Sequence, residues 1–166
     1  MNSKTALPSG VSIITLAVTC MVLSMAPWAN AQQRTTGTPS GTSQVVESVT
    51  ATQMLSLMKA EGYAVEADSD GDLVWKIDGT KTLMLISKDR SSLQLFASFV
   101  DGNATLKKVN EWNKSKRYSR TYLDEDGDPC LELDLDLDGG VTFARITDYL
   151  KTCRISYQAW CQEVVK

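Results

Sequence analysis

Histidine is absent from all 166 residues, and that single absence removes several chemistries together. Ser-His-Asp and Cys-His catalysis, His-ligated zinc and a charge switch near neutral pH all require an imidazole. No P-loop, no G-x-G-x-x-G and no G-x-S-x-G occurs either, so neither a nucleotide nor any other cofactor is expected. Net charge is also small, with 17 Lys and Arg against 20 Asp and Glu. That balance names no partner, and it has the wrong sign for nucleic acid, whose phosphates require a basic face.

Long apolar runs are missing except at the start. Lys4 is the only charge before Arg34, Val11 to Met25 is almost wholly apolar or small, and Ala29-Asn30-Ala31 has the small-x-small form of a cleavage site. An apolar stretch of about 15 residues falls short of the roughly 20 that span a bilayer. A Cys20 lipid anchor is disfavoured because Thr19 stands where a Gly or Ala is wanted. Residues 1–31 are therefore expected to be a signal peptide cut after Ala31, leaving a periplasmic or secreted protein with no membrane span. Residues 32–46 open on Ser, Thr, Gly, Gln and Pro without large apolar side chains, the composition of a flexible linker. Residues 47–166 then suit one domain with one core.

Within that domain the clearest stretch is Arg117 to Gly140. Leu131, Leu133, Leu135 and Leu137 alternate with Cys130, Glu132, Asp134 and Asp136, so an extended backbone buries one face and wets the other. DEDGDP ahead of them is a turn in which Gly127 can take positive φ and Pro129 starts the strand. The spacing of Thr50 and Gln53 predicts a capping box and a helix from about Ala51 to Glu61. Tyr63–Ala67, Leu73–Asp78, TLMLIS and LQLFASFV follow as four antiparallel strands separated by Asp-Gly and polar turns. Asn103 is the expected cap of a helix over ATLKKVNEWNKSK, with Leu106, Val109 and Trp112 or Asn113 as its apolar stripe. Ile146, Leu150, Cys153, Tyr157, Trp160 and Val164 give a last helix from about Thr142 to Val164. The order α-β-β-β-β-α-β-β-α is an α+β fold, a mostly antiparallel sheet with helices packed on one face.

Gly62-Tyr63, LQLFASF, the Asn110-Glu111-Trp112-Asn113 helix core and above all TYLDEDGDPCLELDLDLDGGVT with its closing helix resemble the YbjN family. The resemblance covers about Ser48 to Val164. It implies the fold of type III secretion chaperones and a small bacterial protein-binding domain, often dimeric, described as a sensory transduction regulator and without known catalytic residues. An exported chain and the cysteines Cys130, Cys153 and Cys161 depart from that pattern, and export argues against a cytosolic role.

If Leu123 shares the leucine face, Arg120 must share the carboxylate face; a slip of one residue would drive Arg120 among leucines. The outer face so built carries Tyr118, Arg120, Tyr122, Glu132, Asp134 and Asp136, side chains suited to docking a protein partner, and a homodimer is open. The plainer expectation is a solvated sheet face with cross-strand ion pairs. Asp134 to Gly139 matches the first half of a calcium loop, yet Arg145 stands where the bidentate Glu is needed, so no metal is expected. Envelope small-ligand or calcium binding remains the alternative function. Glu132 and Asp134 on an open face beside Arg120 do not make an acid-base pair, and no enzyme is expected. In an oxidising compartment Cys130 could bridge Cys153 or Cys161, whereas those two, eight residues apart on one helix, cannot bridge each other. The alternative is two buried helix thiols and one accessible thiol at Cys130.

Overall fold

The computed structural model describes residues 44–100 and 102–166. The expected signal peptide and nearly all of the expected linker lie outside the described residues. Thr50 starts the helical part of the chain: its hydroxyl accepts from the Gln53 N–H at 3.2 Å, while Gln53 Oε1 accepts from the Thr50 N–H at 2.9 Å. This reciprocal cap opens α1 (Ala51–Ala60). Its Met54 and Met58, four apart, face the core.

Strands β2 (Ala64–Ala67), β3 (Leu73–Ile77), β4 (Thr80–Ile86) and β5 (Ser92–Ser98) follow as an antiparallel meander, then α2 (Leu106–Ser115), the hairpin β6 (Arg120–Leu123) and β7 (Pro129–Asp136), and α3 (Phe143–Trp160). The six strands form one sheet in the order β2-β3-β4-β5-β7-β6. Thus β7 enters between β5 and β6 and is paired on both sides. That position explains its near-continuous burial. The expected architecture is observed: α+β, antiparallel, with helices against the sheet.

Period-two burial decides which side faces the helices. Leu73, Trp75, Met84, Leu93, Leu95, Leu131 and Leu133 join Met54, Val109, Trp112, Ile146, Leu150 and Trp160 in one apolar cluster. All four leucines of the hairpin strand and its extension are buried, as are all six apolar positions expected on the last helix, and Trp75, Trp112 and Trp160 are core residues. Tyr149 reaches from α3 into the sheet. Its hydroxyl accepts from the Leu95 N–H at 3.0 Å and donates to the Leu133 C=O at 2.6 Å, joining helix, β5 and β7 through one buried atom.

The aspartate turns follow one design. Asp68 Oδ1 accepts from the N–H of Asp70 and Asp72, and Asp124 Oδ1 accepts from the N–H of Asp126 and Asp128. These carboxylates cap their own turns. Gly127 supplies the positive φ of 86°.

Four details differ from the sequence reading. The cap of α2 is Thr105, whose hydroxyl accepts from the Lys108 N–H, not Asn103; the N–H of Asn103 instead donates to the Val165 C=O. Leu106, at the exposed first turn, is 74% accessible, so the apolar stripe of α2 narrows to Val109 and Trp112. Val45–Val46, the last residues of the expected linker, form β1 and pair with β8 (Val141–Thr142). A Cβ on Gly140 would come within 2.6 Å of Val45 Cγ1, which is why the second glycine of Gly139-Gly140 suits the close approach of β1. Finally, α3 ends at Trp160, and Cys161–Val165 widens into a π-helical turn closed by the Lys166 N–H on the Cys161 C=O.

Candidate functional site

The face of the sheet turned away from the helices is built mainly from alternate residues of β3, β4, β5, β7 and β6. Register pairs Arg120 with Glu132 and Tyr122 with Cys130 across the β6–β7 hairpin, the arrangement expected from keeping Arg120 away from the leucines. Glu132 is the centre of this half. Only 7% exposed, it forms an ion pair with Arg120, accepts from the Tyr122 hydroxyl at 2.7 Å and lies 3.4 Å from the amide of Gln94. Gln94 also donates to Asp134 at 2.7 Å. A nearly buried carboxylate is stable only with such partners, and here each donor comes from a neighbouring strand.

The electrostatics follow from this contact set. Arg120 is held above its usual pKa, first by its hydrogen bond to Glu132 and then by that carboxylate's charge. The Tyr122 phenol is pushed up to about 12, chiefly because its O–H donates to Glu132, with burial adding to the effect. A phenol whose pKa is raised by folding adds stability that is complete below the unfolded value near 10 and is lost as pH rises through about 12. We expect Tyr122→Phe to remove one phenolate transition near pH 12 from the difference titration and to flatten the alkaline loss of stability in that window. If the transition that disappears lies instead near pH 10, the ordinary value for a phenol, the hydrogen bond to Glu132 is contradicted.

The remaining candidates divide. Asp134 and Asp136 are exposed on the same face, and Asp136 accepts from the Asp138 N–H at 2.9 Å. Tyr118 does not join them. With φ at 65° it stands before β6 begins, breaks the alternation and instead borders a cavity with Asp134, Arg145, Asp148 and Tyr149. Its side chain is 74% exposed. Cys130 lies on the outer side of β7, register-paired with Ser98 and Tyr122, but is 3% exposed, so the expected accessible thiol is buried. Cys153 is in the core, with burial pushing its thiol up to about 12, and Cys161 is half-buried. All three are free thiols in this structure. Among the described residues no three Asp, Glu or Cys side chains converge as metal ligands would.

Two features were not anticipated. Gln94 completes the polar network, although the alternation of LQLFASF already places it opposite the leucines. The other is apolar: Val74 pairs with Leu83 and Leu83 with Phe96, and with Leu85 they form a half-buried patch across β3, β4 and β5. None of these four packs into the core. No described element covers them.

The edge beyond β6 is handled differently. Asn113 of α2 donates to the Thr121 C=O at 2.9 Å and accepts from the Thr121 N–H at 3.0 Å, so its amide takes the place of a seventh strand at this point.

Residues 50–163 match the YbjN family, described as "Putative bacterial sensory transduction regulator". The chain belongs to the YbjN family. Among solved structures it is similar to the crystal structure of YbjN from E. coli, titled a putative transcription regulator, with a TM-score of 0.59 and 15% identity over 74% of this chain and 99% of that one. At that identity the likeness establishes the shared fold. No curated protein matches. The description of the family names regulation and no reaction.

Proposed function

We propose that this YbjN domain is a non-enzymatic protein-binding module, exported to the periplasm or the cell exterior, that docks its partner on the outer face of the sheet. The observation that carries this reading is the uncovered patch of Val74, Leu83, Leu85 and Phe96 beside the network of Arg120, Tyr122 and Glu132. Apolar side chains flanked by Tyr and Arg whose rotamers are already fixed match the anatomy of an interface: an apolar centre and a polar rim with little ordering entropy left to lose. Export rests on the apolar segment before Ala31 and the cleavage pattern there.

Affinity capture from an envelope extract tests the docking surface. Phe96→Glu, with folding verified by circular dichroism, should reduce recovery of the partner at least tenfold, since it buries a charge at the centre of the patch. Unchanged recovery would remove the outer face from consideration. Small-ligand binding is the second reading. It is favoured by a cavity of about 700 Å³ between the β3–β4 turn and α3, lined by Thr80, Phe99, Tyr157, Gln158 and Cys161. Its size is that of sites for small organic molecules. Native mass spectrometry showing a retained mass above the polypeptide would favour it.

A further inference from the structure

We infer that the cavity between the β3–β4 turn and the end of α3 binds a small zwitterion with an apolar body, and that a dipeptide of two apolar residues is the form that fits it. This rests on the small-ligand reading given above and names the class of ligand; the outer face of the sheet takes no part in it. The first support is the π turn. Lys166 donates its N–H to the Cys161 C=O five residues back, and Cys161, Gln162 and Lys166 all line the cavity. In a regular α-helix a residue five positions on lies about 140° around the axis, whereas the wider i→i+5 turn brings it nearly back to the same side. The widening therefore sets a cation at the cavity that an α-helical end would carry away from it. Such turns recur at functional sites. This one is held from outside the helix, by the Asn103 N–H on the Val165 C=O and Lys108 Nζ on the Val164 C=O.

The charges decide the chemistry of the ligand. Among the described residues that line the cavity, Asp78 is the one acidic side chain and Lys166 the one basic side chain. Asp78-Gly79 makes the two-residue turn between β3 and β4, with φ at 50° and 84°. Asp78 Oδ2 accepts from the Gln158 amide of α3 at 2.8 Å, which fixes the carboxylate against the helix and leaves Oδ1 to accept from a ligand. Lys166 Nζ lies 3.3 Å from Gln162 Oε1 and has further donors to offer. Neither Asp78 nor Lys166 is in an ion pair among the described residues. Burial pushes the Cys161 thiol up, and the Lys166 ammonium and the Asp78 carboxylate both act on it in opposite senses, so the two charges lie within reach of one side chain. A simple anion is repelled there by Asp78 and a simple amine by Lys166. A molecule that carries both an ammonium and a carboxylate satisfies the two together.

The rest of the lining supplies the apolar body's surroundings. Ile155 is 67% exposed although large and apolar, and Phe99 is held in place by ring contacts to Tyr157 at 6.3 Å and Trp160 at 5.8 Å. A wall whose aromatic rings are already fixed loses little freedom when a ligand packs on it. Volume sets the ligand's length. At the roughly 30 Å³ that a water molecule occupies, a cavity of about 700 Å³ holds on the order of twenty non-hydrogen atoms. That is the size of a dipeptide such as Leu-Phe and about twice that of a free apolar amino acid. The binding energy usual for molecules of this size corresponds to a Kd on the order of tens of micromolar.

Isothermal titration of the full chain, purified as its host processes it, with Leu-Phe, N-acetyl-Leu-Phe and Leu-Phe amide tests the inference. Leu-Phe should bind, and removal of either charge, by acetylation or by amidation, should weaken binding at least tenfold, the effect of losing one charge-assisted hydrogen bond. Asp78→Asn keeps a residue that tolerates positive φ. It should weaken Leu-Phe at least tenfold without weakening N-acetyl-Leu-Phe, and Lys166→Gln should do so without weakening the amide. Bound Leu-Phe should also slow alkylation of Cys161, the least buried of the three thiols, which places the ligand in this cavity. Binding that is indifferent to both end charges or to both substitutions, or that leaves alkylation of Cys161 unchanged, would overturn the inference. Failure of the small-ligand reading itself is read separately, by native mass spectrometry of the same preparation. A chain that does not bind Leu-Phe but retains another small molecule refutes the zwitterion and keeps the cavity as a ligand site, whereas no binding and no retained mass refute both.

Discussion

Trp160→Ala should lower the unfolding free energy by about 3–5 kcal/mol, the range for deleting a fully buried indole. Trp160 is completely enclosed, 5.8 Å from the ring of Phe99 and 6.2 Å from that of Tyr157. Its N–H also donates to Thr121 Oγ1 at 2.9 Å, and the Thr121 hydroxyl donates in turn to the Cys130 C=O. The indole thus joins the end of α3 to both strands of the hairpin. Trp160→Phe retains most of the ring contacts and loses the N–H, so its effect should be nearer 1 kcal/mol, roughly the net worth of one hydrogen bond. Urea unfolding of the two variants separates packing from hydrogen bonding. Equal losses would mean that the bond to Thr121, and not the buried ring, holds this corner. Against a total of about 5–15 kcal/mol for a domain of this kind, the alanine variant stands close to unfolding at ordinary temperature.

How much of this was legible beforehand depends on whether one periodicity dominated each segment. In α3 the spacing of Ile146, Leu150, Cys153, Tyr157, Trp160 and Val164 has a single helical solution, and all six are buried. The hairpin alternates leucine with acid, which has a single extended solution and leads to the Arg120–Glu132 pair. TLMLIS alternates nothing. Leu83 and Leu85 on one face and Met84 on the other are equally apolar, so its outward patch was invisible until the sheet showed which side the helices take. Tyr118 failed for a different reason. Alternation assumes extended backbone throughout, and a non-glycine residue at φ 65° leaves no compositional trace. The π turn at Cys161–Val165 is equally silent, because Trp160 and Val164 keep the four-residue spacing of an ordinary helix. It is held by the Asn103 N–H on the Val165 C=O and Lys108 Nζ on the Val164 C=O, contacts from far along the chain that no local window contains.

Leu133→Ala should reduce stability by about 2–5 kcal/mol, whereas Asp134→Ala, one residue on, should change it by about 0.5 kcal/mol or less. Leu133 is fully buried opposite Leu95, next to the Tyr149 hydroxyl that bonds both their backbones. Truncating it leaves a cavity that this fixed arrangement cannot easily close. Asp134 is exposed and loses only its bond from Gln94. The contrast is a direct measure of register, because a slip of one residue exchanges the two environments and would reverse the order of the two losses. It also bears on recognition. The leucines, by occupying the inner side of β7, oblige Glu132, Asp134 and Asp136 to face outward together, and the acidic flank of the docking face follows from that packing. Asp134→Ala should therefore leave the fold intact while weakening capture of the partner, and Leu133→Ala should weaken capture only as far as it unfolds the chain. Chemical denaturation and affinity capture on the same two proteins distinguish these effects. An Asp134→Ala variant that captures the partner as the wild type does would separate the acids from recognition altogether.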